Sequence, residues 1–563
     1  MSDDDRTPAA PHGEDPAART AATHHAFRAL GYWRGETIGA AFAAAARRFG
    51  PRVALVDGDT RLTYRELAAR SATLAGGLRA LGLRPGDTLL IALPNRWEYV
   101  TLLLACLRAG VVPVLMLPVH REHELTRIAD HVRAVGIAVA GDTPDGAQER
   151  ARWVRERCAS VRHVLVAGGT AEPTTLDLRA LSRPDPPAGH RGRGPFPGRR
   201  PAADAAALHL LSGGTTGLPK VITRTHDDYL YVLRHSARLS GISACDVYLA
   251  ALPAAHTFPL GCPGLLGTLL HGGRVVLTAS PRPDAVFAAI AREGVTVTAA
   301  VPAVVQRWLQ EYDPDRWDLS SLRLLQVGGA RLSHAHAARV RPTLGCALQQ
   351  VYGMSEGLLN STRLDDAAET VLGTQGRPVG PGDEIRVVDE AGLEVADGGR
   401  GELITRGPGI TPGYHLAPRH NAQAFTGRGW LRTGDLVRRL PDGNLVVEGR
   451  VKDVINRGGE KVCADEIEDL LHELPQVDRA AVVATPDPDL GERICACLVL
   501  RPGRSLALAE IRSLLTARGL AAYKLPERVE ILPQLPVTPI GKINKAELRA
   551  AVARRHTPHP THP

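Results

Sequence analysis

Leu211-Ser212-Gly213-Gly214-Thr215-Thr216-Gly217-Leu218-Pro219-Lys220 sets three glycines, three hydroxyl side chains and a closing lysine within ten residues. Glycines let a backbone wrap closely around a ligand and turn its N–H groups inward. Hydroxyls add donors and the lysine adds a mobile positive charge, so the stretch suits a polyphosphate. It is not a Walker A loop, which needs Gly-Lys-Ser/Thr in direct succession; here Leu218-Pro219 separates Gly217 from Lys220. Four further segments carry chemistry. Val351-Tyr352-Gly353-Met354-Ser355-Glu356 offers an aromatic face and a carboxylate. Trp430-Leu431-Arg432-Thr433-Gly434-Asp435 offers a second carboxylate after a tight turn. Gly449-Arg450-Val451-Lys452-Asp453 supplies a guanidinium, and Pro539-Ile540-Gly541-Lys542 ends in a lysine. Singly these read as a core aromatic, a cap, a surface ion pair and a solvated lysine; together, in this order, they point to one site.

The elements that must position them alternate. Ala205–Leu210, Gly273–Leu277, Val295–Ala299 and Leu322–Val327 read as strands, with helices over Pro283–Glu293 and Ala303–Glu311. Strand–helix alternation predicts an α/β fold, parallel-rich sheets covered by helices. Such sheets bind ligands at the C-terminal ends of their strands, where both Ser212-Gly213-Gly214 and Gly328-Gly329 fall. The chain has 563 residues, 44% hydrophobic and 23% charged, too long for one core. We expect a large N-terminal domain over 26–448, a hinge at 449–453 and a small mobile α+β C-terminal domain over 454–553. The tails 1–25 and 554–563 read as disordered, and 183–201, dense in Pro, Gly and Arg, as a loop.

A net charge of +8 invites a nucleic-acid reading, but no Lys/Arg stripe is interleaved with aromatics, so none is expected. No run is apolar enough to span a membrane, and the acidic start Met1-Ser2-Asp3-Asp4-Asp5 lacks the form of a signal peptide. The eight cysteines are scattered; Cys495-Ala496-Cys497 has no second close pair and reads as buried thiols. A cytoplasmic protein is expected.

With these segments the chain resembles the acyl-adenylate-forming superfamily of acyl-CoA synthetases, luciferases and nonribosomal adenylation domains, over about residues 26–552. Within it the chain is most similar to stand-alone aryl-acid–AMP ligases, the 2,3-dihydroxybenzoate and salicylate activators of siderophore assembly. The signatures are Leu210–Gly217, Ala251-Leu252-Pro253-Ala254-Ala255-His256, Gln349–Gly357, Ile455–Val462 and Gly519–Pro526. The resemblance implies a ligase using ATP and Mg²⁺, with no tightly bound organic cofactor. Ser212, Gly213, Gly214, Thr215, Thr216, Gly217 and Lys220 would hold the β- and γ-phosphates, and Glu356 would position Mg²⁺. Tyr352 would stack on adenine, with Gly328-Gly329-Ala330 along its edge. Asp435 and Arg450 would take the ribose. Lys542 would be the catalytic lysine between the acid carboxylate and the α-phosphate, with His256 beside that carboxylate. A swing about Lys452 would then remove Lys542 and bring Gly458 and Gly459 to a pantetheine tunnel.

By the same resemblance, His256, Thr257, Phe258, Cys262, Ala330, Val351 and Leu359 would line an aromatic-acid pocket. Dihydroxybenzoate activators carry Asn where this chain has Thr257 and Ser where it has Cys262, so this pocket is the less polar one. Salicylate-, anthranilate-, benzoate- and hydroxypicolinate-like acids remain open. No carrier-domain signature follows Lys542, and the implied acceptor is a phosphopantetheinylated aryl carrier protein in trans, in nonribosomal peptide or siderophore-type biosynthesis. The alternatives are an aryl-CoA ligase using free CoA, and a non-catalytic nucleotide-binding relative; the latter is opposed by the presence of Lys542, Glu356 and Asp435.

Overall fold

The computed structural model describes residues 16–143, 145–169, 174–183, 201–212, 219–426, 429–457, 460–487, 490–518, 520–538 and 541–556. The loop expected over 183–201 lies almost wholly outside them. Two mainly parallel sheets dominate, of nine and seven strands among the described residues. Their inner strands are short and apolar on both faces: Thr88–Ala92, Gly136–Ala140 and Leu324–Gly328 are buried throughout, as parallel strands covered on both sides must be. Successive residues feed different cores. Leu89 and Ile91 join the core shared by the two sheets, and Leu90 joins the outer core of the seven-stranded sheet. Leu55 and Val56 divide the same way between the shared core and the outer core of the nine-stranded sheet. The helix Trp97–Ala109 lies in the shared core with every residue from Glu98 to Leu107 buried. Its buried Glu98 is paired with Arg96 at 2.9 Å and with Arg179 at 2.5 Å, which meets the requirement that a buried charge have partners.

A four-stranded antiparallel sheet follows: Glu384–Val388, Arg400–Arg406, Leu431–Arg439 and Leu445–Arg450. The chain leaves it through one 3₁₀ turn, Val451–Asp453, and enters the smaller C-terminal unit. There the hairpin Val454–Arg457/Glu460–Cys463 pairs with the long strands Val477–Asp487 and Gly491–Leu500, and Arg528–Ile531 adds in parallel. The helices Ala464–His472 and Leu508–Ala517 cover one face of this sheet and Lys545–His556 the other. Large parallel-rich domain and small mixed domain are therefore both present.

Two terminal expectations need correction. The tail read as disordered over 1–25 is helical from Pro16, in a helix running to Ala29. Its alanines favour a helix, and His24 and Phe27 pack on Trp33 with ring centroids 4.8 and 5.2 Å apart, contacts that composition does not reveal. The last helix likewise passes 553 and ends at His556. All eight cysteines are unpaired, and no helix among the described residues is long and apolar enough to cross a membrane.

Candidate active site

The site is assembled at the C-terminal ends of neighbouring strands of the nine-stranded sheet. Gly328 ends Leu324–Gly328 and sits in register with Val351 on Ala347–Gly353. That strand turns back at Met354 so that Leu359 pairs with Gly353. After Val247–Ala250 the chain reaches His256, the N-cap of the short helix Thr257–Gly261. Phe258, Cys262, Val351 and Leu359 fall in one buried cluster, Thr257 is half-buried and Ala330 lies exposed at the rim. A Cβ on Gly328 would stand 3.2 Å from Phe258 Cζ and 2.7 Å from the Val351 carbonyl, so only glycine lets this wall close.

The charged and aromatic residues expected here come from three sheets. Asp435 and Arg450 face each other in register on adjacent antiparallel strands, their ion pair 2.9 Å long. Tyr352 Oη donates to the other Asp435 oxygen at 2.7 Å. A carboxylate has about four acceptor positions, so Asp435 keeps capacity for further hydroxyl donors. Glu356 accepts from Tyr414 Oη at 2.8 Å, and its carbonyl accepts from Thr411 N at 2.6 Å. Behind it lies the buried Arg224–Asp228 pair, 2.7 Å long, whose guanidinium donates to the carbonyls of Ser355 and Gly409 at 3.0 and 2.8 Å. Asp228 also closes a capping box with Thr225, so this pair ties the helix His226–Leu239 to the Glu356 turn.

The glycine-rich loop is pinched at its neck. Ser212 N donates to the Lys220 carbonyl and Lys220 N to Ser212 Oγ, both at 2.9 Å. Gly213, Gly214, Thr215, Thr216 and Gly217 lie outside the described residues. Lys220 Nζ stands 2.7 Å from His420 Nε2 and 5.3 Å from the centroid of the Tyr414 ring. Sequence reasoning missed both Tyr414 and His420. The segment Thr411-Pro412-Gly413-Tyr414 signals only a turn, held here by Asn421, whose Oδ1 accepts from Tyr414 N at 2.9 Å.

Lys542 reaches this site from the C-terminal unit. Its loop is closed by Thr538, whose N–H donates to the Lys542 carbonyl at 2.6 Å and whose Oγ1 accepts from Lys542 N at 3.1 Å. A Cβ on Gly329 would lie 3.2 Å from Lys542 Cε, so the lysine lies over the Gly328-Gly329 turn. Arg331, just beyond that turn, pairs with Asp469 of the C-terminal unit at 2.7 Å, and Gln306 donates to the Asp478 carbonyl at 3.2 Å. Gly458 and Gly459 lie outside the described residues. Lys452 lies in the 3₁₀ turn Val451–Asp453, within the influence of Arg450, Asp453, Arg549 and Asp435.

Cations crowd here. Burial and then Arg450 push Lys542 down to about 8, against a smaller opposing pull from Asp435. Burial lowers Lys220 and Lys452 too, with Lys452 adding to the first and Arg450 to the second. Positive groups that depress one another are arranged for a polyanion. In His256, burial, then Lys542, hold the imidazole down at about 3. It is neutral, and since Nδ1 accepts from Phe258 N at 3.3 Å, its proton is on Nε2. Among the described residues no three ligands gather to hold a metal ion. A single fixed carboxylate, Glu356, fits Mg²⁺, which is commonly held by one or two carboxylates plus substrate phosphates.

Comparison with known proteins agrees with this geometry. The family described as AMP-binding enzyme matches residues 42–415, and the AMP-binding enzyme C-terminal domain matches 466–542. A Streptomyces protein named salicylyl-CoA synthase / salicylate adenylyltransferase is 54% identical, over 93% of this chain and 95% of its own. The salicyl-AMP ligase / salicyl-S-ArCP synthetase of Mycobacterium tuberculosis is 46% identical, over 94% and 92%. The apo structure of MbtA from Mycobacterium smegmatis superposes with a TM-score of 0.72 at 46% identity, covering 95% of this chain and 98% of that one. The chain belongs to the AMP-binding, adenylate-forming enzymes, and within them it groups with the aryl-acid ligases.

Proposed function

We propose that the protein activates an aromatic carboxylic acid with ATP, releasing pyrophosphate, and passes the aryl group from aryl-AMP to the phosphopantetheine thiol of a separate aryl carrier protein. The observation that carries this reading is Lys542, delivered by the C-terminal unit over Gly329, where it acts on His256 and feels both Arg450 and Asp435. A carboxylate is a poor electrophile, and joining it to the α-phosphate creates a good leaving group. The reaction brings two anions together, so the site must supply positive charge and alignment. Lys542 supplies the charge where the two anions meet. His256, neutral, donates from Nε2 to the carboxylate without competing for its proton. Asp435 accepts from the ribose hydroxyls, and Tyr352 and Arg450 hold its carboxylate in place. Lys220 and the pinched loop receive the outer phosphates. Glu356 would hold Mg²⁺, which supplies charge neutralisation on the phosphates when bound.

Ring specificity follows from Thr257, Phe258, Cys262, Val351 and Leu359. Cys262 is a weak donor, which favours acids with fewer ring hydroxyls than 2,3-dihydroxybenzoate. The acceptor has a second reading, free CoA, because a relative at 54% identity carries a CoA synthase name. The test is ATP–pyrophosphate exchange over benzoate, salicylate, anthranilate, hydroxypicolinate and 2,3-dihydroxybenzoate, followed by loading of a carrier protein against CoA. Exchange with none of these acids sinks the reading; thioester formation on CoA alone sinks the carrier.

A further inference from the structure

Tyr229 and Tyr248 are fully buried, yet among the described residues neither phenolic oxygen has a hydrogen bond of good geometry. Buried hydroxyls are nearly always partnered, and an unpartnered one costs about 1–3 kcal/mol. Both lie beside the acid pocket. The Thr257 hydroxyl lies within hydrogen-bonding reach of the Tyr229 phenol without a well-formed bond, and Cys262 acts on both phenols. Tyr229 is held from behind: Arg224 stands 4.9 Å from its ring centroid. Its oxygen packs closely on the Gly261 backbone of the pocket segment, where a Cβ would fall 2.4 Å away, so only glycine fits there. Tyr99, the neighbouring phenol, is satisfied by the Ala254 carbonyl at 3.0 Å, unlike the two phenols that border Cys262.

We propose that Tyr229, backed by Tyr248, is a specificity-determining residue whose phenol hydrogen-bonds a hydroxyl or amino substituent on the ring of the aromatic acid. The assignment rests on the aryl-acid reading above. Burial keeps the phenol protonated, so it can both donate to a ring oxygen and accept from a ring O–H or N–H. An unsubstituted ring leaves it unpaired, and the site then discriminates by what it fails to satisfy.

The experiment is pyrophosphate exchange by wild type, Tyr229→Phe and Tyr248→Phe with benzoate, salicylate and anthranilate, with thermal melting to verify folding. Phe keeps the ring and its packing. The expected result is a fall of about tenfold or more in kcat/KM for a substituted acid relative to benzoate in Tyr229→Phe, and a smaller fall in Tyr248→Phe. Gly261→Ala, which crowds the phenol without removing it, should lower the same ratio. An equal loss on all three acids in Tyr229→Phe, or an unchanged ratio, overturns the assignment while leaving the aryl-acid function standing. Wild type that exchanges with no aromatic acid overturns both.

Discussion

Lys542 gives the sharpest test of the proposed chemistry, because the site that needs its charge also opposes it. Entering the site lowers the lysine from 10.5 to about 8, a cost of about 3 kcal/mol for carrying its charge there. The sign is fixed by linkage. Below about pH 8 the penalty on the closed pose is complete; it fades as pH rises toward 10.5, where an exposed lysine also loses its proton. One phosphate charge at 4 Å, at an effective dielectric of 20, returns about 4 kcal/mol. The nucleotide therefore outweighs the penalty, and bound ATP keeps Lys542 charged in the pose that the free enzyme already holds. The kcat/KM for ATP, which reports the free enzyme, should fall as pH rises through about 8. Lys542→Arg keeps its charge throughout and should lose that alkaline limb. Lys542→Ala should slow adenylation by about 10²–10³-fold while sparing thioester formation from supplied aryl-AMP. An alkaline limb unchanged in Lys542→Arg refutes the assignment, as does equal damage to both half-reactions in Lys542→Ala.

Other perturbations separate the remaining roles. Asp435→Asn should raise KM for ATP about tenfold or more with little change in KM for the acid, since charge-assisted bonds to the ribose are worth about 1.5–3 kcal/mol each; initial-rate kinetics in both substrates decide it. Glu356→Gln should raise the Mg²⁺ concentration needed for half-maximal exchange, and Tyr414→Phe, which removes the 2.8 Å bond to Glu356, should do so more weakly. Arg331→Ala breaks a half-exposed ion pair to Asp469 of a kind worth about 0–1 kcal/mol. It should slow adenylation by a few-fold at most and leave thioester formation from supplied aryl-AMP untouched, as separate half-reaction assays would show.

What was legible in the sequence had local causes. The helix Pro283–Glu293 appears with the bounds its proline start and following glycine predict. The strand expected from Val295 begins at Val297 instead, a difference within the scatter of strand ends, and Thr296 there turns its hydroxyl to Asp246 at 2.8 Å and to Val247 N at 3.0 Å. The strand expected from Leu322 begins at Leu324, and Arg323 just before it reaches Asp246 at 2.7 Å and the Ser240 carbonyl at 3.2 Å. In both places a polar side chain serves a distant partner, and a local pattern cannot announce it.

The site divides along the same line. Glycine turns and lone charges at their ends singled out Tyr352, Glu356, Asp435, Arg450 and Lys542 as candidates, since a turn constrains sequence where it stands. The groups that hold them are set by register and packing between segments far apart in the chain. Asp435 meets Arg450 because two antiparallel strands pair there, Glu356 meets Tyr414 across 58 residues, and Tyr229 meets Gly261 because a helix lies against the pocket wall. None of these partners carries a mark of its own: a tyrosine on an apolar helix face reads as core. Its lack of a well-formed hydrogen bond becomes visible only when the fold has placed every other donor and acceptor around it.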